Sequence, residues 1–201
     1  MINLDDKNKV ISISDPELFR ENPELMLLII EKAAITGYRF NGITWDGLFI
    51  NSKLLETLSK HRIREILDSI YNCGNFHYAL ELLINSTLHK RIIDSDYIRI
   101  EDSKIKNIAI DDVETIGDFY YFLSLGDVDI FVNVFGKDKR IIDYIEALNM
   151  VFDACSENTS LRFNYSLSVA LLKEAKVKSK KITDSGLLYP EIKTTIKLFE
   201  I

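Results

Sequence analysis

Apolar positions recur at two different spacings along this chain. Up to about residue 90 they fall three and four apart, as on one face of a helix. Asp15-Pro16-Glu17 reads as a helix start, with Asp at the cap, Pro in the first turn and an acid behind it. Asn22-Pro23-Glu24 repeats that signal and opens a helix expected over 23–36, with Gly37 as its stop. Leu54, Leu55, Leu58, Ile63, Ile66, Leu67 and Ile70 predict a second helix from Asn51 or Ser52 to about Asn72, with a break near His61. Gly74 ends it, and Leu80, Leu83, Ile84 and Leu88 mark a third over 75–90. Val10 to Ser14 alternates and suits an edge strand, and residues 38–50 suit a loop or short hairpin.

Beyond residue 95 the period shortens to two. Tyr97 to Ile100 and Ile105 to Ile110 read as strands. The stretch Phe119 to Phe135 holds two aromatic and β-branched runs around Gly126-Asp127, which suits a tight hairpin turn. In that register Phe119, Tyr121, Leu123 and Leu125 share one apolar face with Val128, Ile130, Val132 and Val134. A helix follows over about 138–155, carried by Ile141, Ile142, Ile145, Leu148, Val151, Phe152 and Cys155. Leu161 to Leu171 alternates cleanly, and Ile192 to Glu200 is a last strand candidate. The expectation is a single α+β domain over 1–201. Its helical part covers about 1–95. A mostly antiparallel sheet, centred on the 119–135 hairpin and crossed by the 138–155 helix, fills 96–201.

Composition agrees with one folded unit: 47% of the 201 residues are hydrophobic and 28% charged. Two cysteines, Cys73 and Cys155, do not make a disulfide framework. The start carries no secretory pattern, and the longest apolar run, Leu25 to Ile30, is too short to span a bilayer. A cytoplasmic protein is expected. The isoleucine, asparagine and lysine usage suits an A+T-rich, bacterial gene. Net charge is −6, unevenly spread. Ten acids face three bases between Asp94 and Asp129, whereas seven lysines face three acids between Lys173 and Lys197.

Asp127-Val128-Asp129 is the first candidate for chemistry. Two carboxylates two apart on a strand point the same way and can hold Mg²⁺ for phosphoryl transfer. With the apolar residues after it, this D-x-D resembles the metal-binding strand of the nucleotidyltransferase superfamily, which implies Asp127 and Asp129 as metal ligands. That family also has a Gly-Ser turn and a helix upstream. Here Gly117-Asp118 and a strand-like run stand in their place. If Asp127 lies in the turn, the pair need not converge and Asp129 faces water. Cys73 and His77 are four apart but lack further ligands at zinc spacing. No glycine-rich phosphate loop or nucleophile elbow occurs. Lys173, Lys176, Lys178, Lys180 and Lys181 have no aromatic between them to stack a base. Trp45, with Tyr38, Phe40 and Phe49, is either an interface anchor or a plug for the core.

These observations favour a non-catalytic protein-binding domain, by functional analogy with bacterial toxin-neutralising immunity proteins. Its partner would be another protein, a basic one such as a nuclease-type toxin, with no direct nucleic acid, no membrane and no cofactor. The expected binding surface is Asp94, Asp96, Glu101, Asp102, Asp111, Asp112, Glu114 and Asp118. The alternative is a divergent metal-dependent nucleotidyltransferase or phosphotransferase using Asp127 and Asp129.

Overall fold

The structure is a computed structural model that describes residues 2–93 and 110–157. Its class is α+β, mostly helical with a small mixed sheet. Strand β1 (Ile2–Asp5) pairs antiparallel with β2 (Val10–Ile13), Ile2 opposite Ile13. β2 in turn pairs parallel with the two-residue β3 (Arg39–Phe40), Ile11 opposite Phe40. Between them run α1 (Leu18–Glu21) and α2 (Leu25–Thr36). Asp15 starts the first of these: its Oδ1 accepts from the Glu17 N–H at 2.9 Å, and its carbonyl accepts from Leu18. Gly37 stops the second at φ +69°, a left-handed backbone that glycine adopts without strain.

Residues 38–50 differ from the expected loop. Most of them form α3 (Gly42–Asn51), capped by Asn41, whose side chain accepts from the Thr44 N–H at 2.9 Å. Phe40 is buried and meets the half-buried Trp45 edge-on at 5.4 Å, so these two rings plug the core. Phe49 turns outward. The break expected near His61 falls two residues earlier, at Ser59, which caps α4 (Lys60–Asn72) after a 3₁₀ turn over Ser52–Thr57. The third expected helix is split by Thr87, at φ +64°, into α5 (Phe76–Asn85) and α6 (Leu88–Ile92).

The central hairpin does not exist. Its two arms are helices, α7 (Ile116–Leu123) and α8 (Val128–Phe135), and they lead into α9 (Lys139–Glu157). Among the described residues the sheet sits at the other end of the chain. Thr115 accepts from the Asp118 N–H at 3.2 Å and Asp118 accepts from the Thr115 N–H at 3.0 Å, a reciprocal cap that starts a helix. Gly126 at φ +71° closes α7, its N–H donating to the Tyr121 carbonyl at 2.8 Å. Asp127 then caps α8. Phe119 to Leu123 are all at most 8% exposed, so α7 is apolar on every side and shows no helical stripe. Its aromatic content instead imitates a strand. The other expected strands, 97–100, 161–171 and 192–200, lie outside the described residues, as does all but Ile110 of 105–110.

One continuous core joins the sheet, α2, α4, α5 and the α7–α9 group. Helix α4 is central to it, packing against α2, α5 and α8. His89 on α6 is buried beside the Phe122 ring, and its Nε2 donates to the Leu123 carbonyl at 2.8 Å. Burial holds the imidazole pKa below its ordinary 6.5. The unfolded chain therefore binds this proton more readily. Stability should be unaffected above about pH 6.5 and should decline as pH falls below it, by at most about 1.4 kcal/mol per pH unit. Urea unfolding of wild type and His89→Gln between pH 7.5 and 5 should show a shallower acid-side decline in the variant.

Candidate functional site

The functional geometry gathers around Arg64, near the middle of α4. Its Nη1 donates to the Phe135 carbonyl and its Nη2 to Asp138 Oδ2, both at 2.9 Å. Its guanidinium lies over the Tyr120 and Phe131 rings, 5.6 and 5.9 Å from their centres. Asp68, one turn further along α4, accepts from the Tyr120 hydroxyl at 2.5 Å. Burial and the neighbouring Asp68 carboxylate push the Tyr120 phenol far above its usual range, so it stays a donor. Burial pushes the Asp138 carboxyl up. Hydrogen bonds from Arg140 and Arg64 outweigh that and hold it below the usual carboxylate value.

Two hollows flank the Arg64–Asp68 pair. One, of about 560 Å³, runs past Tyr71 and Asn72 to Thr115, Arg140 and Tyr144. The other, of about 430 Å³, is bounded by Lys60, His61, Glu65, Phe135 and Gly136. The corner that joins α8 to α9 is thereby fixed against the start of α4. Lys60 lines the second hollow and Arg140 the first, and Lys137 and Lys139 are exposed on either side of Asp138. Glu24 and Glu65 pair with Arg62, and Asp68 and Asp138 with Arg64, while Glu114, which lines the first hollow, is exposed. Lys60, Lys137 and Lys139 are exposed and stand outside these pairs.

The residues singled out in the sequence fare differently. Asp94, Asp96, Glu101 and Asp102 lie outside the described residues, as do Lys173 to Lys181. Asp111 and Asp112 belong to a short 3₁₀ turn, where Asp111 is exposed, and Glu114 is exposed just after it. Asp118 is not a surface acid. It is fully buried, accepting from Thr115, from the Glu114 N–H and from the Tyr144 hydroxyl at 2.6 Å. The Tyr144 ring closes over Gly117, where an added Cβ would come within 2.6–2.8 Å of it. His77 is likewise engaged, its Nε2 donating to the Val113 carbonyl at 2.7 Å, and Cys73 is a half-buried free thiol at the end of α4.

Asp127-Val128-Asp129 is a helix start rather than a metal-binding strand. Asp127 accepts from the Ile130 N–H at 2.9 Å, and Asp129 is exposed in the first turn of α8. Among the described residues no group of three or more His, Cys, Asp or Glu could hold a metal ion. Nor is any helix among them long and apolar enough to cross a membrane. Sequence reading missed Lys60, Arg64, Lys137 and Lys139. No short motif marks them, because the two groups are some seventy-five residues apart and only the fold joins them.

Two substitution sets test these placements. Asp127→Ala should lose about 1 kcal/mol of stability, as a helix cap does, whereas Asp129→Ala should change it by less than about 0.5 kcal/mol. Equal effects in urea unfolding would contradict the cap assignment. Gly117→Ala should lose about 1–3 kcal/mol, because its methyl group needs the space of a buried ring.

No protein-family model matches the chain, and no curated protein matches it in sequence. Solved structures do match in fold. One described as "Structure of tRNA-processing enzyme complex 3" aligns at TM-score 0.55 and 18% identity, over 96% of this chain and 57% of its own. A "tRNA-processing enzyme (apo form I)" aligns at 0.54 and 16%, over 96% and 62%. "The complex structure of CCA-adding enzyme with CTP" aligns at 0.51 and 12%, over 96% and 58%. The chain thus spans about three fifths of these neighbours' length. At such identities the likeness is one of fold. It corrects the expectation of a toxin-neutralising immunity-type protein, since the fold is shared with tRNA-processing enzymes.

Proposed function

We propose that this chain is a tRNA-handling protein of the nucleotidyltransferase class, whose described part serves to bind RNA. The observation that carries the reading is the fold likeness, over nearly the whole chain, to tRNA-processing and CCA-adding enzymes. The cationic corner at α4 and the α8–α9 junction supports it, because affinity for nucleic acid is dominated by neutralising phosphates. The partner is then RNA in place of a basic protein, met in the cytoplasm. The transfer step is not assigned to Asp127 and Asp129: one caps α8 and the other faces solvent.

Filter binding of the full chain to unmodified tRNA tests the reading. It should retain tRNA at about 50 mM salt and release most of it by about 200 mM. Failure to retain tRNA at the lower salt would remove the proposal. The same samples, supplied with Mg²⁺, CTP and ATP, report whether nucleotides are added to the bound RNA.

A further inference from the structure

We infer that a second copy of this chain docks on the outer face of α3, the two helices running antiparallel about a two-fold axis. The inference is independent of the RNA-binding reading above.

Three observations carry it. The first is that α3 is inverted in polarity. At 3.6 residues per turn, Ile43, Asp46, Phe49 and Ile50 fall within an arc of about 120°, and all four are exposed. Ile43, Phe49 and Ile50 are 59%, 60% and 69% exposed. The opposite face carries Thr44, Gly47, Leu48 and Asn51, all buried. Leu48 is the one large apolar side chain on it. A helix that merely covers a core has the reverse arrangement, apolar inside and polar outside.

The second observation is that the inner face is already committed. Thr44 Oγ1 accepts from the Ile13 N–H at 3.0 Å, which ties α3 to β2. Gly47 lets α3 close on the residues around α1, since an added Cβ would lie 3.1 Å from Phe19 and 3.2 Å from Pro16. Asn51 accepts from Arg20 Nε at 3.3 Å and donates to the Gly47 carbonyl at 2.9 Å. Turning α3 to bury Ile43 or Ile50 would break these contacts. Three large apolar side chains therefore stay on one surface, the kind of patch that marks an interaction site.

The third observation identifies the occupant. Asp46 and Lys53 are exposed beside the apolar residues, and neither makes an ion pair or hydrogen bond with another described residue. They stand equally far before and after the midpoint between Phe49 and Ile50. A two-fold axis through that midpoint sets Asp46 of each copy opposite Lys53 of the other and packs Phe49 against Ile50. The surface is thus complementary to itself in both charge and apolar content, as an isologous dimer requires. A partner of one charge sign would satisfy one of these two groups and oppose the other.

Sedimentation equilibrium of the RNA-free full chain, from about 1 µM to about 300 µM, covers the affinities of a small interface. Wild type should pass from monomer to dimer within that range. Phe49→Gln with Ile50→Gln should weaken the dimer at least about tenfold. Asp46→Lys alone sets like charges opposite each other twice, and it should also weaken the dimer at least about tenfold, as should Lys53→Asp alone. The double variant, Asp46→Lys with Lys53→Asp, exchanges the charges within each pair and should restore association to the wild-type level. Every substituted side chain is exposed, and circular dichroism should show each variant folded as wild type is. A wild type that stays monomeric throughout overturns the inference, the face being then covered by another part of this chain or by a different protein. A dimer indifferent to Phe49 and Ile50 also overturns it, as does a double variant that associates no better than the single reversals.

Discussion

Arg64 ties α4 to the α8–α9 junction, beside the apolar core that the two halves of the protein share. Arg64 donates to the carbonyl that ends α8 and to the carboxylate that begins α9, and it covers two aromatic rings that would otherwise meet water. A guanidinium suits this position as an ammonium would not, because its planar fork can serve two acceptors while its face stacks on rings. The pair with Asp138 is largely shielded, with side chains 25% and 17% exposed. Each charged hydrogen bond of this kind is worth roughly 1.5–3 kcal/mol when its loss strands a partner. Asp68 and Tyr120 extend the same joint by one turn. A buried ion pair is weak evidence for stability by itself. Its role here is geometric: it fixes where the α8–α9 corner lies, and so where three lysines and an arginine stand.

Much of the N-terminal half could be read from local signals because those signals agree with the tertiary structure. Asp15-Pro16, Gly37 and the apolar spacing of α4 each act within a turn or two of chain. Strand β2 was visible as an alternation, yet its partner β1, with only Ile2 and Leu4 apolar, was not. The long amphipathic α9 falls where the spacing placed it. The segment 119–135 failed for a physical reason. A helix buried on all sides loses its polar face, and with it the period that distinguishes it from a strand. The opposing evidence was present in Thr115-x-x-Asp118 and in Gly126-Asp127, which can stop one helix and cap the next as readily as they can turn a hairpin. Capping and burial, rather than composition, decide the structure of this segment.

The same confusion displaced the candidate site. Asp118 reads in the sequence as a binding-surface acid and Asp127 as a metal ligand, but both are taken up in starting helices. A carboxylate at a helix start compensates backbone N–H groups, so an acidic stretch of sequence need not become an acidic surface. The positive corner was hidden for the complementary reason. Its members are separated in sequence and interspersed with acids, so no charge run announces them. Only in three dimensions do arginines pair with Glu24, Glu65, Asp68 and Asp138 and leave the lysines outside those pairs.

That pairing also bears on the proposal that a chain of net charge −6 binds RNA. At physiological salt, charges more than about 8 Å from a phosphate are largely screened. Total charge then governs long-range approach, but the groups within that distance govern the bound state. Acids already engaged by Arg62 and Arg64 add little repulsion, because their fields are offset by partners 2.8–3.9 Å away. The free lysines act nearly at full strength. The acidic remainder slows encounters with a polyanion from other directions and so favours this one corner. An overall negative charge is therefore compatible with the RNA binding proposed above.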